Sequence, residues 1–496
     1  MSVTSDVAVP LRHPDQFFIG GNWVNPSTSS TIDVVDSTTE QPFFRVAEAQ
    51  ADDMDRAIGA ARKAFDDGPW PRLSHAERAD YLRRLAAGLR ERSGDIAQIW
   101  PRESGALHAI AQPFTDSAIA RMEYYAGLAD TFPFEERATP TAGGAFGLLV
   151  REAVGVVGAI IPWNGPIALI ASKISPALLA GCTVVLKSSP EAPGEGLVIA
   201  EIAEQIGLPP GVLNVITADR EVSELLVRDP RVDKISFTGS TVAGRRIASL
   251  CGERIARCTL ELGGKSAAVI LDDADLATAA MTLAGAECFL SGQVCSSLTR
   301  IVVTQNRHDE LVEALGSSFS QVRVGDPFDA ATQMGPLAAE RQRDRVEGYI
   351  AKGKADGARL VTGGGRPAHL EKGWFVEPTV FAGVDNHHTI AQEEIFGPVL
   401  SVIPAANEAE AVRIANDTIY GLNASVFTED IDRARQVAAQ LRSGTVGHNA
   451  FRTDFGIAFG GFKQSGIGRE GGHEGLHPYL EVKTVILNDT PSAYKG

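Results

Sequence analysis

Short apolar runs alternate with amphipathic stretches through most of the chain. In the N-terminal part, apolar residues recur at helical spacing over 52–66 and 75–92, and a third helix is predicted over about 113–129. Farther along, β-branched runs predict buried strands, separated by helical stretches such as 194–206 and 241–251. These predicted strands are Val154–Ile161, Thr183–Lys187, Val212–Ile216, Lys234–Thr238 and Thr259–Leu262. Because strands without a polar face are typical of sheets covered on both sides, this repetition predicts a parallel sheet of the doubly wound type.

The same alternation returns in the second half of the chain. Strands are predicted at Ala267–Leu271, Arg300–Val303, Val399–Val402, Ala424–Phe427 and Gly444–Asn449. Helices are predicted over about 307–319, 338–356, 407–416 and 430–441. The predicted fold class is therefore α/β, with two doubly wound, Rossmann-like domains in series. Their boundary falls near Glu261, and the crevice between such domains is where α/β proteins usually bind a ligand.

Two segments differ from this alternation. Phe17–Val24 has a Gly-Gly turn between apolar residues, which predicts a hairpin. Residues 131–150 contain proline and Gly-Gly breaks, so an extended excursion is favoured over a helix.

Composition and charge narrow the class of protein. The 496 residues include 46 Lys and Arg against 62 Asp and Glu, a net charge of −16, which argues against nucleic acid or an anionic membrane as a partner. No apolar run is long enough to span a bilayer, and Met1–Gln16 lacks the basic region and apolar core of a secretory signal. The five cysteines are scattered without metal-type spacing, so reduced thiols in the cytoplasm are predicted.

Two short motifs suggest chemistry that their surroundings disfavour. Residues 466–471 match G-x-G-x-x-G, but no apolar strand immediately precedes them and too few residues follow for a βαβ unit. Residues 473–477 match the zinc-protease pattern H-E-x-x-H, which requires a helix that turns both histidines to one metal. Gly475 interrupts this stretch and Pro478 follows it, so a helix is disfavoured. We predict neither a dinucleotide fingerprint nor a metal site here.

Cys295 lies in a stretch of small and polar residues, 292–297. A thiol that only fills core space would more often have bulky apolar neighbours on both sides, whereas small neighbours leave room for a substrate carbon. On spacing alone, however, a single cysteine in a chain of this length is more often structural.

Three strand ends carry further candidates. After Lys234–Thr238, Gly239 and Ser240 lead into a predicted helix whose free N–H groups suit a pyrophosphate, although a plain turn with an N-cap serine looks the same. Asn164 follows an apolar strand, where its amide can donate to a developing oxyanion or simply occupy a turn. Lys187 ends the next strand and can meet either a ribose hydroxyl or solvent.

Seven motifs occur in a fixed order along the chain. They are Pro162-Trp163-Asn164, Lys187, Phe237-Thr238-Gly239-Ser240, Glu261-Leu262-Gly263-Gly264-Lys265, Gly292-Gln293-Val294-Cys295, Glu393-Glu394-Ile395-Phe396-Gly397-Pro398 and Phe459-Gly460-Gly461-Phe462-Lys463. Each is weak to moderate alone, but in this combination the chain closely resembles the NAD(P)-dependent aldehyde dehydrogenase superfamily over nearly its whole length.

The resemblance implies a mechanism. Cys295 would attack the aldehyde carbon to give a thiohemiacetal, with Asn164 and the backbone N–H of Cys295 as the oxyanion hole. After hydride transfer to the nicotinamide, Glu261 would activate water to hydrolyse the thioester to the acid. N–H dipoles at the site are expected to lower the thiol pKa, and partial burial to raise that of Glu261. Lys173 and Glu470 match family positions linked to proton relay, or are plain surface charges.

The resemblance also implies NAD as the cofactor, with NADP left open. The implied cofactor-binding residues are Ile160, Pro162, Trp163, Lys187, Gly239, Ser240, Gly244, Leu262, Glu394 and Phe396. Of these, Lys187 and Glu394 would hold the ribose hydroxyls, Ser240 would meet the pyrophosphate, and Phe396 would pack near the nicotinamide. Many NAD-preferring members carry glutamate three residues after the ribose lysine, where this chain has Pro190 and then Glu191. A displaced carboxylate leaves the choice open, and we favour NAD.

The domain organisation follows from the same resemblance. The expected parts are an NAD(P)-binding domain over 1–130 and 151–262, a catalytic domain over 263–445, an oligomerisation element over 131–150 and 480–496, and a substrate loop with the return to the cofactor domain over 446–479. The family is usually dimeric or tetrameric, so a homodimer or homotetramer is expected.

Departures from the family pattern concern the substrate. Gly165 and Ser172 stand where many members have bulky aromatic residues, so we expect an unusually open tunnel for a bulky or branched aldehyde, terpenoid or aromatic. Arg452, in the presumed substrate loop, either binds an acidic tail or faces solvent.

Three alternative functions of the chain can be distinguished from a hydrolytic aldehyde dehydrogenase. An acyl-CoA-forming relative typically lacks the glutamate base, and a non-catalytic relative should have lost Cys295 or Glu261, whereas both are present. A zinc hydrolase using residues 473–477 would bind metal and be sensitive to chelators.

Overall fold

The computed structural model describes residues 9–495, and half of the stretch Met1–Gln16, in which no secretory signal is predicted, lies outside them. Two large sheets organise these residues, one of eight strands and one of seven. Apolar clusters pack against both faces of each sheet. The predicted α/β class with two doubly wound domains is confirmed. The limits of the domains stay predictions.

The first sheet contains the strands of the predicted cofactor region. From edge to edge they are Gly466–Ile467, Arg257–Glu261, Lys234–Thr238, Val156–Ile160, Thr183–Ser188, Leu213–Thr217, Phe17–Ile19 and Asn22–Val24. The five from Arg257–Glu261 to Leu213–Thr217 are parallel, and the predicted hairpin Phe17–Val24 extends the sheet in the antiparallel sense. The middle strands are buried along their whole length, as expected for parallel strands covered on both faces.

The strand order of the first sheet reverses beside Val156–Ile160. From that strand the chain moves outward in one direction to Thr183–Ser188, and it later returns to the other side with Lys234–Thr238. Ligands bind at such a switch point, outside the carboxyl ends of the strands. Asn164 follows the carboxyl end of Val156–Ile160, and Ser240 follows that of Lys234–Thr238.

The second sheet is parallel except at one edge. Its strands, in order, are Arg359–Thr362, Thr379–Ala382, Val399–Ala405, Arg300–Thr304, Ala267–Ile270, Asn423–Phe427 and Thr445–His448, of which the first is antiparallel. Cys295 lies in the loop that precedes Arg300–Thr304, and Glu394 precedes Val399–Ala405. The functional motifs of this half therefore lie before strands, whereas those of the first sheet lie after them.

Fourteen α-helices accompany these sheets within residues 9–495. They are Ala51–Asp66, His75–Glu91, Ser93–Ser104, His108–Thr131, Pro166–Ala180, Gly194–Gln205, Arg220–Arg228, Thr241–Glu253, Leu276–Cys288, His308–Ser320, Glu340–Ala355, Thr389–Gln392, Glu408–Asn416 and Ile431–Ala438. The fourth begins five residues before the predicted start and carries Pro113 inside it. None of them is long and apolar enough to cross a membrane.

Two smaller sheets complete the fold. The predicted excursion forms Glu135–Ala138 and Phe146–Ala153, and the latter pairs along its whole length with Leu480–Leu487. A ribbon of Thr31–Val35 and Pro42–Ala47, which the apolar pattern did not predict, lies near the N-terminus.

The two misleading motifs have structural roles. Gly466–Ile467 is an edge strand that pairs with Leu260 and Glu261, so residues 466–471 form no strand-to-helix turn. Residues 473–476 form turns, and His477 begins a single turn of 3-10 helix, so no α-helix carries both histidines. The rings of His473 and His477 pack near Phe132, at 5.7 and 5.2 Å between centroids.

Candidate active site

A cavity of about 810 Å³ lies between the two sheets. Eleven of the fifteen residues assigned to the site from sequence line it, namely Pro162, Trp163, Asn164, Gly239, Ser240, Glu261, Leu262, Cys295, Glu394, Phe396 and Glu470. They come from both halves of the chain, so the cavity depends on how the two sheets pack.

The backbone before Cys295 adopts an uncommon conformation. Leu290, Ser291 and Gly292 all have positive φ angles, of 49°, 55° and 71°. A non-glycine residue in this left-handed region costs roughly 1–3 kcal/mol and persists only where its surroundings hold it. The Ser291 hydroxyl donates to the Gly335 carbonyl at 2.8 Å, which supplies part of that hold.

Gln293 also holds the backbone of residues 290–292 in this conformation, although sequence analysis gave its side chain no role. Its buried amide donates to the Leu290 carbonyl at 3.0 Å and to the Ser104 carbonyl at 3.3 Å, and its Oε1 accepts from Ala338 N at 2.9 Å. A glutamine two residues before a cysteine is a visible signal, but its contacts depend on distant segments.

Asn164 is bound to the same loop. Its Nδ2 donates to the Gln293 carbonyl at 2.9 Å, which uses one of its two N–H bonds. Trp100 Nε1 donates to the Asn164 carbonyl at 3.2 Å, and the Ser104 hydroxyl donates to the Trp163 carbonyl at 2.6 Å. The second amide N–H is left to serve a group in the cavity, as an oxyanion donor requires.

The thiol of Cys295 does not have the lowered pKa that the sequence led us to expect. Burial raises its pKa to about 12, and the nearby Glu394 and Glu261 carboxylates raise it too. The backbone N–H groups of Cys295 and Ser296 lower it, in the predicted direction, but they are outweighed. The prediction considered only the dipoles, whereas desolvation and like charge oppose the thiolate.

Glu261 is the last residue of its strand and is 2% exposed. Neither carboxylate oxygen has a hydrogen-bond partner within residues 9–495. Burial raises its pKa well above the usual value, as predicted, and Glu470 raises it further. Gly460 leaves room for this carboxylate, since a Cβ there would lie 2.7 Å from Glu261 Oε1.

Lys173 and Glu470 form a buried ion pair rather than surface charges. Lys173 Nζ lies 2.5 Å from Glu470 Oε1, and the two side chains are 0% and 2% exposed. Glu470 lines the cavity, whereas Lys173 lies behind it, 3.4 Å from the Ser236 hydroxyl. The pair therefore connects the cavity wall with a polar cluster beneath the first sheet.

The part of the cavity around Thr238, Gly239 and Ser240 is where the cofactor is expected, and we refer to it as the cofactor half. It combines a helix N-terminus with an unpaired hydroxyl. Ser240 caps helix Thr241–Glu253, and its hydroxyl accepts from Ala243 N at 3.3 Å. Thr238 Oγ1 is buried in the cavity wall without a partner among residues 9–495. Free N–H groups and an unsatisfied hydroxyl fit a phosphate-bearing ligand.

On the opposite wall, Glu394 and Phe396 come from one loop. Glu394 Oε1 accepts from Gly264 N at 3.1 Å, and burial raises the pKa of Glu394 to about 7. The Phe396 ring stands edge-on to Trp163, with centroids 5.4 Å apart. Gln342 holds this loop by donating to the Phe396 carbonyl at 2.6 Å. A carboxylate beside an aromatic pair suits ribose hydroxyls next to a flat ring.

Three predicted cofactor residues do not line the cavity. Ile160 is a buried core residue, and Lys187, the penultimate residue of Thr183–Ser188, pairs with it. Burial lowers the pKa of Lys187 to about 8. Gly244 packs against Leu262, because a Cβ at 244 would lie 2.4 Å from Leu262 Cδ2. In this structure Gly244 permits a close helix contact and does not face the cavity.

The part of the cavity lined by Phe114, Arg121 and Phe455 is where the substrate is expected, and we refer to it as the substrate half. Gly165 does not open it in the way the sequence suggested. The ring of Phe114, on helix His108–Thr131, occupies the space, because a Cβ at 165 would lie 3.0 Å from Phe114 Cζ. Aromatic volume that relatives place after the asparagine is thus supplied from another helix. This contact joins residues distant in sequence, so the motif alone could not predict it.

Ser172 does not open the tunnel either. It is fully buried, and its hydroxyl accepts a hydrogen bond from Arg121, which fills the neighbouring space. Arg452 is exposed and does not line the cavity. The signal that sequence analysis missed is one helix face: Phe114, Arg121 and Tyr124 recur at helical spacing and all line the cavity.

Comparisons with known proteins agree with this geometry. Residues 23–485 match the model of the aldehyde dehydrogenase family. The geranial dehydrogenase of Castellaniella defragrans is 45% identical over 95% of this chain and 98% of its own length. The betaine aldehyde dehydrogenase of Brucella anthropi is 41% identical over 95% and 96%. The crystal structure of a Mycobacterium tuberculosis aldehyde dehydrogenase complexed with NAD+ superposes with a TM-score of 0.93 at 45% identity, over 97% of this chain and 99% of that one. This chain belongs to the aldehyde dehydrogenase family.

Proposed function

We propose that this protein oxidises a bulky, largely apolar aldehyde to the carboxylic acid with NAD+. One observation carries the proposal: Cys295 and Glu261, from the two halves of the chain, face one cavity, and the buried Glu261 carboxylate has no partner within residues 9–495. A nucleophile and a free base at one site suit acylation followed by hydrolysis.

The residues divide the work between two steps. The Cys295 thiol gives its proton to the Glu261 carboxylate, which passes it on to solvent, and the sulfur forms a bond to the aldehyde carbon. The carbonyl electron pair moves onto oxygen, where the free Asn164 N–H stabilises the oxyanion. NAD+, when bound, supplies the acceptor for the hydride that the carbon then loses. Glu261 takes a proton from water, the resulting hydroxide attacks the thioester, and the thiol leaves with the acid as product.

The cofactor half supports NAD+. Ser240 and Thr238 suit the phosphates, Glu394 suits a ribose, and Phe396 with Trp163 suits the nicotinamide. Glu191, the displaced carboxylate, is bound by Ser189 and by Arg341 from the opposite domain. A carboxylate near the end of the strand that carries Lys187 opposes a 2′-phosphate, but Arg341, which lines the cavity, already neutralises it. The preference for NAD+ is therefore proposed from the likeness to relatives whose structures hold NAD+.

The substrate class is inferred from the other half of the cavity. Its wall is mostly aromatic and aliphatic, formed by Phe114, Leu169, Phe289, Phe451, Phe455 and Phe459. Such a wall suits a branched terpenoid or aromatic aldehyde, and the likeness to a geranial dehydrogenase points the same way. We extend the proposal to terpenoid and aromatic aldehydes on these grounds.

The test is a panel of aldehydes with NAD+ and NADP+, with and without coenzyme A, followed by formation of reduced cofactor. Geranial and benzaldehyde should have higher kcat/KM than propanal, NAD+ should be preferred, and acid should form without coenzyme A. Far higher efficiency with propanal would contradict the substrate class, and a strict need for coenzyme A would contradict the hydrolytic step.

The matched variant is Cys295→Ala. It should lose turnover by about a thousandfold or more, since a nucleophile cannot be replaced by a methyl group. Unchanged melting temperature would show that the fold survives. Undiminished turnover would end the proposed mechanism.

A further inference from the structure

One guanidinium lies in the wall of the substrate half. Arg121, on helix His108–Thr131, is 8% exposed and lines the cavity. It donates to the Ala168 carbonyl at 2.6 Å and to the Ser172 hydroxyl. Its Cζ lies 4.1 Å from the centroid of the Phe455 ring. Hydrogen bonds on one side and an aromatic face on the other fix this charge in place.

The charge of Arg121 is not neutralised locally. No carboxylate lies within 4.0 Å of it among residues 9–495. Glu470 and Asp454 attract Arg121 from a greater distance, but Glu470 is already paired with Lys173 at 2.5 Å, and Asp454 is exposed, so water screens it. Burial lowers the pKa of Arg121 to about 10, which leaves it protonated at neutral pH. Within residues 9–495, Arg121 is therefore a buried cation in this wall that has no ion-pair partner within 4.0 Å, and the carboxyl groups nearest to it are paired elsewhere or screened.

We propose that Arg121 is a specificity-determining residue that makes the enzyme reject cationic aldehydes, above all quaternary ammonium aldehydes, and accept neutral ones. This inference rests on the proposed function. A cationic substrate would meet a like charge in a partly desolvated wall, where repulsion is stronger than in water. It would also find one face of the Phe455 ring, a surface of the kind that binds such cations, already covered by the guanidinium.

This specificity does not follow from overall similarity. The Brucella anthropi betaine aldehyde dehydrogenase is 41% identical to this chain, close to the 45% of the geranial dehydrogenase. Whole-chain identity therefore separates the two substrate classes poorly. A single side chain in the cavity wall distinguishes a cation from a neutral group on physical grounds.

The experiment uses a matched pair of substrates on the unmodified enzyme. Betaine aldehyde and tert-butylacetaldehyde have the same shape, but a quaternary nitrogen in the first replaces a quaternary carbon in the second. With NAD+, we expect kcat/KM, corrected for the hydrated fraction, to favour the neutral aldehyde by about 100-fold or more. A difference below about threefold would overturn the proposal.

Two variants assign the effect to the charge. Arg121→Met keeps the length of the side chain and removes the charge, so the ratio of kcat/KM values should shift toward betaine aldehyde by about tenfold or more. Arg121→Lys keeps the charge and should leave that ratio nearly unchanged. Comparing ratios between enzymes cancels aldehyde hydration. An equal shift in both variants, or none in Arg121→Met, would contradict a role for the charge.

The outcomes separate this inference from the proposed function. If Arg121→Met fails to fold because the bonds to Ala168 and Ser172 are lost, the substrate pair on the unmodified enzyme still decides. No formation of NADH with any neutral aldehyde would instead refute the proposed function. Equal activity with both members of the pair would leave the proposed function intact and refute this inference.

Discussion

An unpartnered carboxylate inside a cavity wall is costly to ionise, and Glu261 is such a group. Glu261 is the last residue of its strand, at the carboxyl end of the first sheet, where burial and Glu470 raise its pKa. A carboxyl with a raised pKa is a stronger base once ionised, and it keeps its proton to a higher pH. This combination suits a residue that must take a proton from water.

Replacing Glu261 by glutamine tests this role. Glu261→Gln should still acylate Cys295, with solvent taking the thiol proton instead, so a burst of NADH should precede a steady state slowed by about 10²–10⁴-fold. Rapid mixing with geranial and NAD+ measures both phases. The matched control, Glu204→Gln, makes the same change at an exposed position outside the cavity and should leave both phases unchanged. A steady-state rate equal to that of the unmodified enzyme would contradict the assignment.

The pH dependence of the same step has a definite sign. Only ionised Glu261 can accept a proton, so hydrolysis should slow as pH falls through its raised pKa. This limb of the pH profile should be absent from the residual rate of Glu261→Gln. An identical profile in both enzymes would point to a different base.

Sequence predicted which residues meet in the cavity better than it predicted their environment. Cys295, Glu261 and Asn164 stand in motifs, and all three reach one cavity. The direction of the Cys295 pKa shift was wrong, because it depends on burial and on Glu394 from another loop. Phe114 escaped prediction because it reaches Gly165 only through tertiary packing.

At the scale of elements, two buried carboxylates connect three helices near the site. Glu195, in the first turn of Gly194–Gln205, accepts from Ile167 N in the first turn of Pro166–Ala180. Glu103, near the end of Ser93–Ser104, accepts from Gly194 N at 3.0 Å. These bonds fix the helix that begins just after Asn164. Helix N-termini favour such carboxylates even where burial opposes their charge.

Glu195→Gln should therefore change how stability depends on pH. Burial raises the pKa of Glu195 to about 8, so the folded state holds a proton that the unfolded state releases. Stability from this group is present below about 4.5 and is lost as pH rises toward 8. The variant lacks this loss, so its melting temperature should exceed that of the unmodified enzyme at pH 8 and not at pH 5.

A buried glutamate on the same helix provides the control. Glu201 is bound by Arg92 at 2.7 Å, so Glu201→Gln loses a charge-assisted bond and should destabilise the protein at both pH values. At pH 8, differential scanning calorimetry should show a higher melting temperature for Glu195→Gln than for the unmodified enzyme, and a lower one for Glu201→Gln. Destabilisation by Glu195→Gln at pH 8 would contradict it.

Helices and strands were predictable where apolar residues recurred with a clear helical or strand period. The strand predicted at Lys234–Thr238 formed with those bounds, because apolar Ile235 and Phe237 alternate with polar residues at the period of a strand. The ribbon of Thr31–Val35 and Pro42–Ala47 was missed, since exposed and buried positions mix irregularly along both strands. Helix His108–Thr131 begins five residues before its predicted start at about 113, and Pro113 lies within it.

At the scale of the whole molecule, one strand lies at the edge of a sheet and has exposed apolar side chains. Leu480–Leu487 pairs with Phe146–Ala153 on one side only within residues 9–495. Val482 and Ile486 are 61% and 56% exposed on it. An exposed apolar edge strand invites pairing with another chain. The oligomerisation element predicted from the sequence includes this strand.

We expect Val482→Lys with Ile486→Lys to reduce the molar mass in solution. Two charges on this edge would have to be desolvated for a subunit contact to form. Sedimentation equilibrium should show smaller assemblies than the unmodified protein. Ile431→Lys, at a 64% exposed position on a helix of the second half, is the matched control and should leave the mass unchanged. An unaltered mass in the double variant would place the contact elsewhere.

The contact between Gly165 and Phe114 also constrains the order in which this pocket could change over evolutionary time. A larger residue at 165 that arises first meets the Phe114 ring at 3.0 Å, and overpacking of this kind is costly. A smaller residue at 114 that arises first leaves only a void, which nearby side chains can partly fill. Lineages that exchange one aromatic position for the other therefore have one accessible route, through the smaller residue at 114. Two family members with different residues after the asparagine can thus share a pocket of similar volume.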